Sequence, residues 1–145
     1  MSKVLNTTFE EIYEMFLLYT EAPEYADMEE LLAKDDLEKK LKDAIAMFTK
    51  AKDITPNYET GEFNRELEQI EKIVLARYMV VIWLTPKYLK EDNFKILLGS
   101  KDYTISRPQG LLASLRSCKE DAEKQAEKWA KKYTTQAMCK YATGD

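Results

Sequence analysis

The sequence predicts an all-α fold: a four- to five-helix bundle around a central apolar helix (about 64–85), with a long C-terminal helix (about 107–133) and a C-terminal arm. Three observations lead there. Phe63, Leu67, Ile70 and Val74 recur at helical spacing, with Arg65, Glu66, Glu68, Glu71 and Lys72 between them. From Ile73 to Leu84 the chain is then apolar on nearly every side, interrupted by Arg77. A helix that is apolar all round has to be buried all round, and this run falls short of the roughly 20 residues that span a bilayer. The third observation is that four glycines in 145 residues are too few for a turn-rich β-sandwich or a glycine-rich phosphate loop.

Taken in order, the first helix starts at Thr7 or Thr8. Thr7 with Glu10, and Thr8 with Glu11, both have the spacing of a capping box. Phe9, Ile12, Tyr13, Phe16 and Leu17 form its core stripe, and Pro23 ends it. Asp27 is expected to cap a short helix with Glu30 reaching back, and Asp35 with Glu38 repeats that spacing. Leu37, Leu41, Ala44, Ile45 and Phe48 supply the next core face. Residues 52–62, with Pro56, Asn57 and Gly61, read as a connection. Asn64 is then expected to cap the central helix, and Pro86 to end or kink it, because proline lacks an amide proton and crowds the preceding turn. A short amphipathic piece from Tyr88 to Leu98 stops at Gly99, and Ser100–Pro108 reads as irregular. Ser106 caps the last long helix, whose apolar face runs through Leu111, Leu112, Leu115, Cys118, Ala122, Ala126, Trp129, Ala130 and Tyr133. Its alanines allow a close neighbour. Residues 1–133 thus read as one helical domain and 134–145 as an arm, with no repeat or linker dividing them.

The totals narrow the function. Apolar residues make up 45% and charged residues 33%, the balance of a globular chain. A net charge of −4 argues against general affinity for nucleic-acid phosphates. The charge is uneven: residues 1–36 carry Lys3 and Lys34 against ten carboxylates, roughly −8, which leaves roughly +4 for the remainder. Such a chain could pair head to tail with its own copies, or simply carry a solvated acidic face. Cys118 and Cys139, with no histidine anywhere, make neither a disulfide framework nor a zinc site, and Cys118 reads as a small core residue. The segment Met1–Glu11 has no long apolar stretch, so no signal peptide is expected, and synthesis in a reducing cytoplasm fits.

Catalysis has no foothold in the sequence. Histidine is absent, the usual phosphate-loop, dinucleotide and nucleophile-elbow motifs are missing, and the carboxylate pair Glu68–Glu71 lacks the histidines that helical di-metal sites add. No enzyme activity, cofactor or metal is expected. Arg77 reads either as an interface anchor or as a structural residue, pairing with an acid of the first helices or laying its stem on the core; the structural reading is preferred. Asp102 and Tyr103, beside Lys101, read as a loop fixing its own geometry. Trp129, Tyr133, Met138 and Tyr141 place a large residue every three to five positions, the pattern of an arm that docks on a partner, or of a helix finishing its core face.

One stretch carries a resemblance. An apolar helix ending Trp83-Leu84-x-Pro86, a short amphipathic piece, Lys101-Asp102-Tyr103, Ser106-x-Pro108 and Leu111-Leu112 opening a long helix resembles the small neck proteins of tailed bacteriophages, the head-completion or head-to-tail connector (adaptor) family. The resemblance spans Leu75–Leu115. It implies a virion protein forming a homo-oligomeric ring, commonly of twelve copies, beneath the portal protein. The ring would pass DNA without reading its sequence and receive the next neck or tail-completion protein, with no membrane involved. It makes Trp129 to Tyr141 the candidate portal-binding part. Two other classes remain: a small helical adaptor or regulator acting as monomer or dimer, and a helical DNA-binding protein. In the latter, Lys119–Lys132 would be the recognition helix, although its acids nearly cancel its lysines.

Overall fold

The computed structural model describes residues 5–20, 22, 24–51, 53–97 and 107–143, with side chains for 5–20, 22, 25–51, 53–86 and 116–136. Among these the order is α1 (Phe9–Thr20), α2 (Glu24–Asp27), α3 (Glu30–Met47), β1 (Pro56–Asn57), β2 (Glu62–Phe63), α4 (Gln69–Leu97) and α5 (Arg107–Thr143). The chain is all-α apart from a minimal hairpin. Helix α4 is central: α1 and α3 pack on its first half, and α5 forms the most extensive contact with it.

Helix α1 begins where the second capping box places it. The Thr8 amide donates to Glu11 Oε2 at 2.9 Å, a charge-assisted bond that holds the Glu11 carboxyl below its usual range, with Lys72 contributing after burial is opposed. Phe9, Ile12, Tyr13 and Phe16 are buried as the stripe predicts, and Leu17 packs against them. Asp27 closes the one-turn α2 rather than capping a helix. Helix α3 starts at Glu30 behind Glu29, which makes no side-chain cap bond. It passes without a break through Asp35 and Asp36, where Lys39 and Lys40 pair one turn on. Leu37, Leu41, Ala44 and Phe48 are buried and Ile45 partly so.

The connection at 52–62 is more ordered than its composition predicts. Pro56 pairs with Phe63 and Asn57 with Glu62. Asn57 accepts the Glu59 and Thr60 amides on its side chain and the Gly61 amide on its carbonyl. Gly61 sits at φ +74°, a conformation costly for other residues. Alongside this hairpin the amino-terminal segment runs antiparallel: the Phe63 amide donates to Thr7 O at 2.8 Å and the Phe9 amide to Gly61 O at 2.9 Å. Phe63 and Phe9 meet edge-on at 5.1 Å.

Two expectations about the central helix are corrected. Asn64 does not cap it; its side chain accepts the Thr55 amide and donates to Asp53, tying the preceding loop. The cap is Glu68, with Glu71 three residues on accepting the Glu68 amide at 2.8 Å, so α4 starts at Gln69. Nor does the helix end at Pro86; α4 continues to Leu97. Thr85 Oγ1 turns back to Val81 O at 2.8 Å, the kind of bond that loosens a turn enough to admit a proline ring. Replacing the exposed Pro86 with alanine restores an intrahelical donor and is expected to stabilise the protein by about 1–3 kcal/mol, read as a higher urea midpoint.

Val74, Leu75, Ala76, Met79, Val81 and Leu84 are buried, with Tyr78, Val80, Ile82 and Trp83 partly so, as an all-round apolar helix requires. Helix α5 starts near its predicted position but does not end at Tyr133. It runs on to Thr143, so the segment predicted as an arm is a helical extension. Cys118, expected in the core, is exposed. The core contributed by α5 lies further along, at Ala126 and Tyr133.

Candidate functional site

Helix α5 is held to the body by a polar network inside the apolar core. Glu71 is 1% exposed. Arg65, in the turn before α4, reaches it through two parallel bonds, Nη1 to Oε1 at 2.9 Å and Nη2 to Oε2 at 2.7 Å. Tyr133 donates its hydroxyl to Oε2 at 3.3 Å, and its ring stands edge-on to Phe48 at 5.1 Å. Burial alone would raise the Glu71 carboxyl. The Arg65 guanidinium, the Glu68 amide and the Tyr133 hydroxyl outweigh it and hold the group below the usual glutamate range. Thr7 extends the arrangement to the amino-terminal segment: its hydroxyl accepts the Leu67 amide at 2.8 Å, and its amide donates to Arg65 O at 3.2 Å.

Thr7 is 2% exposed, so Thr7→Val strands a buried amide with no water to replace the lost acceptor. A loss of about 1–3 kcal/mol is expected in chemical denaturation, with Thr7→Ser recovering most of it.

The predicted binding residues separate. Tyr133 is committed to the core. Trp129 packs partly against it, with Lys132 Nζ 4.7 Å from the centre of its ring. Met138 and Tyr141 lie on the α5 backbone, but their side chains fall outside the described residues, as do Asp102, Tyr103 and Lys101 altogether. Arg77 makes a contact that neither of its readings named. Its guanidinium lies over the Tyr19 ring of α1, 3.8 Å from the centroid, while its Nε is buried without a hydrogen-bond partner. The cation is thus held by a π face of α1.

Beside the Tyr133 anchor lies an open groove of about 720 Å³ between α5, α4 and the end of α3. Lys124, Lys128 and Lys131 line it from α5, Lys50 from the segment after α3, and Tyr78 and Ala130 are among its apolar lining. Glu127 is the one acid in its wall. All four lysines are exposed, and no ion pair is formed by any of them among the described residues. Such a surface suits an anionic macromolecular face better than a small reactive substrate, because its cations are solvated. No cluster of three metal-ligating side chains occurs among the described residues. None of their helices is long and apolar enough to cross a membrane.

Two features here were not expected from the sequence. Glu71 reads as one more charge on a solvated face, and the Glu68–Glu71 pair as a failed metal site; its three-residue spacing is the signal that it is a cap. The groove draws Lys50 from a distant segment, which periodicity within one helix cannot reveal. Comparison with protein-family models, curated proteins and solved structures finds no match to this chain.

Proposed function

We propose that this chain is a structural component of a tailed-bacteriophage neck: copies form a ring that joins the portal vertex of the head to the tail and continues the DNA channel. It carries no catalytic role. The reading rests on the resemblance over Leu75–Leu115, and the observation that supports it most is the course of α5. This helix continues to Thr143, past Tyr133, the last buried residue of the described core. The ten residues of helix beyond Tyr133 give a length of backbone that a partner could engage.

On this reading the portal protein receives the end of α5, with Trp129, Met138 and Tyr141 as candidate contacts and Tyr133 anchoring the helix from behind. The next neck or tail-completion protein sits on the opposite side of the ring. The experiment is the mass of the purified protein, alone and mixed with portal rings, by light scattering or native mass spectrometry. A ring-sized species, free or on the portal, is the expected result. A stable monomer or dimer that ignores the portal overturns the reading in favour of a small helical adaptor. A chain cut after Gln136 keeps Tyr133 and its network but is expected to lose portal binding; retention of binding would remove α5's end from the portal contact.

A further inference from the structure

We infer that the lysine groove is the socket for the exposed face of α1 of a second copy of this chain. The inference deepens the ring reading above and rests on it for closure of the ring.

None of the four groove lysines forms an ion pair among the described residues, although Glu120 and Glu127 stand one turn before Lys124 and Lys131. Lys124 and Lys128 stand one turn apart on α5, Lys128 and Lys131 are three residues apart, and Lys50 adds a further charge from the end of α3. Like charges at these spacings destabilise a helix. Several other lysines are placed opposite acids, Lys34 with Glu30, Lys39 with Asp35, Lys40 with Asp36 and Lys119 with Glu123, while Lys42 and Lys132 lie over the Tyr58 and Trp129 rings. The groove lysines make neither kind of contact among the described residues, and an anionic partner would offset their mutual repulsion.

The occupant is argued from complementarity of two kinds. The acidic third of the chain, roughly −8 over residues 1–36, is the natural counter-charge. Within it, Glu10, Glu14 and Leu18 follow one another at i, i+4 and i+8 along α1, and all three are exposed, Leu18 at 78%. Glu10 also lies 3.8 Å from Lys34 of its own chain, whereas Glu14 forms no ion pair among the described residues. Two carboxylates followed by an unburied leucine match a groove with lysines on its rim and Tyr78 and Ala130 in its wall. The carboxylates meet the ammonium groups, and Leu18 meets the apolar part. A nucleic-acid backbone fits less well, since its phosphates offer nothing to the apolar wall at Tyr78 and Ala130, which Leu18 can meet. Because the socket and the α1 face share no residue, the contact is heterologous and propagates from copy to copy until a ring closes.

The test uses the full chain in three forms. Wild-type self-association, followed by light scattering, is expected to weaken at least tenfold between about 0.1 M and about 1 M salt, as screening shortens from about 10 Å to about 3 Å. The variant Lys124→Glu/Lys128→Glu/Lys131→Glu, substituted at exposed positions and checked for folding by circular dichroism, is expected to lose self-association by a similar factor. Adding Glu10→Lys/Glu14→Lys to that variant reverses both faces and is expected to restore assembly. Undiminished assembly of the triple variant overturns the inference, as does failure of the reversed pair to restore it. Tight binding of a fluorescent DNA duplex by wild type, lost in the triple variant, would assign the groove to nucleic acid instead. A wild type that never associates, alone or on portal rings, sinks the ring reading itself, a result distinct from any of these.

Discussion

Arg65→Ala is expected to cost about 3–5 kcal/mol of folding stability, because it leaves a buried carboxylate without its cation. For a domain of this size the melting temperature should fall by on the order of 10 °C. Glu71 would keep the Glu68 amide and the Tyr133 hydroxyl, which do not replace a bidentate guanidinium. Replacing both partners with apolar residues, as in Arg65→Met/Glu71→Leu, is expected to recover much of the loss, since the desolvation penalty goes with the charges. The same network sets an acid limit. The Glu71 carboxyl lies below its ordinary value of 4.5 in the folded chain. Its contribution is therefore fully present above that value and is lost as the pH falls through the depressed one. Glu11 and Asp36 are shifted in the same direction and add to the slope. Urea midpoints at about pH 7 and about pH 3 check this, and Glu71→Gln should flatten the difference between them.

Phe16→Ala is the second large effect, about 3–5 kcal/mol. Phe16 is fully buried and stands edge-on to Tyr25 and to Trp83, each at 6.2 Å. One ring thereby joins α1 to the short helix that follows and to α4. Its removal opens a cavity where three elements meet, and typical domains hold only about 5–15 kcal/mol in total. Phe16→Leu, which fills most of the space, should lose far less. Chemical denaturation monitored by tryptophan fluorescence reads both changes, since Trp83 lines the vacated site.

The core was legible in the sequence wherever one helix carries a complete apolar stripe. The stripe positions from Phe9 to Phe16 and Leu37 to Phe48, and the apolar positions from Ile70 to Leu84, are buried or partly buried as their spacing predicts, whereas Phe63 is buried from β2 and not from a helix. The misreadings occur where two signals compete. Pro86 is a strong stop on its own, but Thr85 beside it relaxes the turn and the helix continues. Asn64 has the chemistry of a cap, yet the loop before it offers backbone partners first. Cys118 lies on the apolar stripe of α5, but the described part of α5 that meets the core lies further on, at Ala126 and Tyr133. The candidate site was less legible for a different reason. Arg65, Glu71, Tyr133 and Thr7 converge from four places in the chain, and so do Lys50 and the α5 lysines. Convergence of that kind belongs to tertiary geometry.

The bond from Tyr133 to Glu71 also bears on the timing of folding during synthesis. As the ribosome works from residue 1, Glu71 emerges with its amide and guanidinium partners but long before the helix that covers it. Until α5 follows, one side of α4, whose run from Ile73 to Leu84 is apolar on nearly every side, stands open to water. Ordering α5 must then close a loop that reaches back 62 residues to Glu71, a non-local step with its entropy paid before its reward. The nascent chain should therefore be sticky until its last helix arrives, and a chaperone that shields apolar helices would find its substrate in that interval.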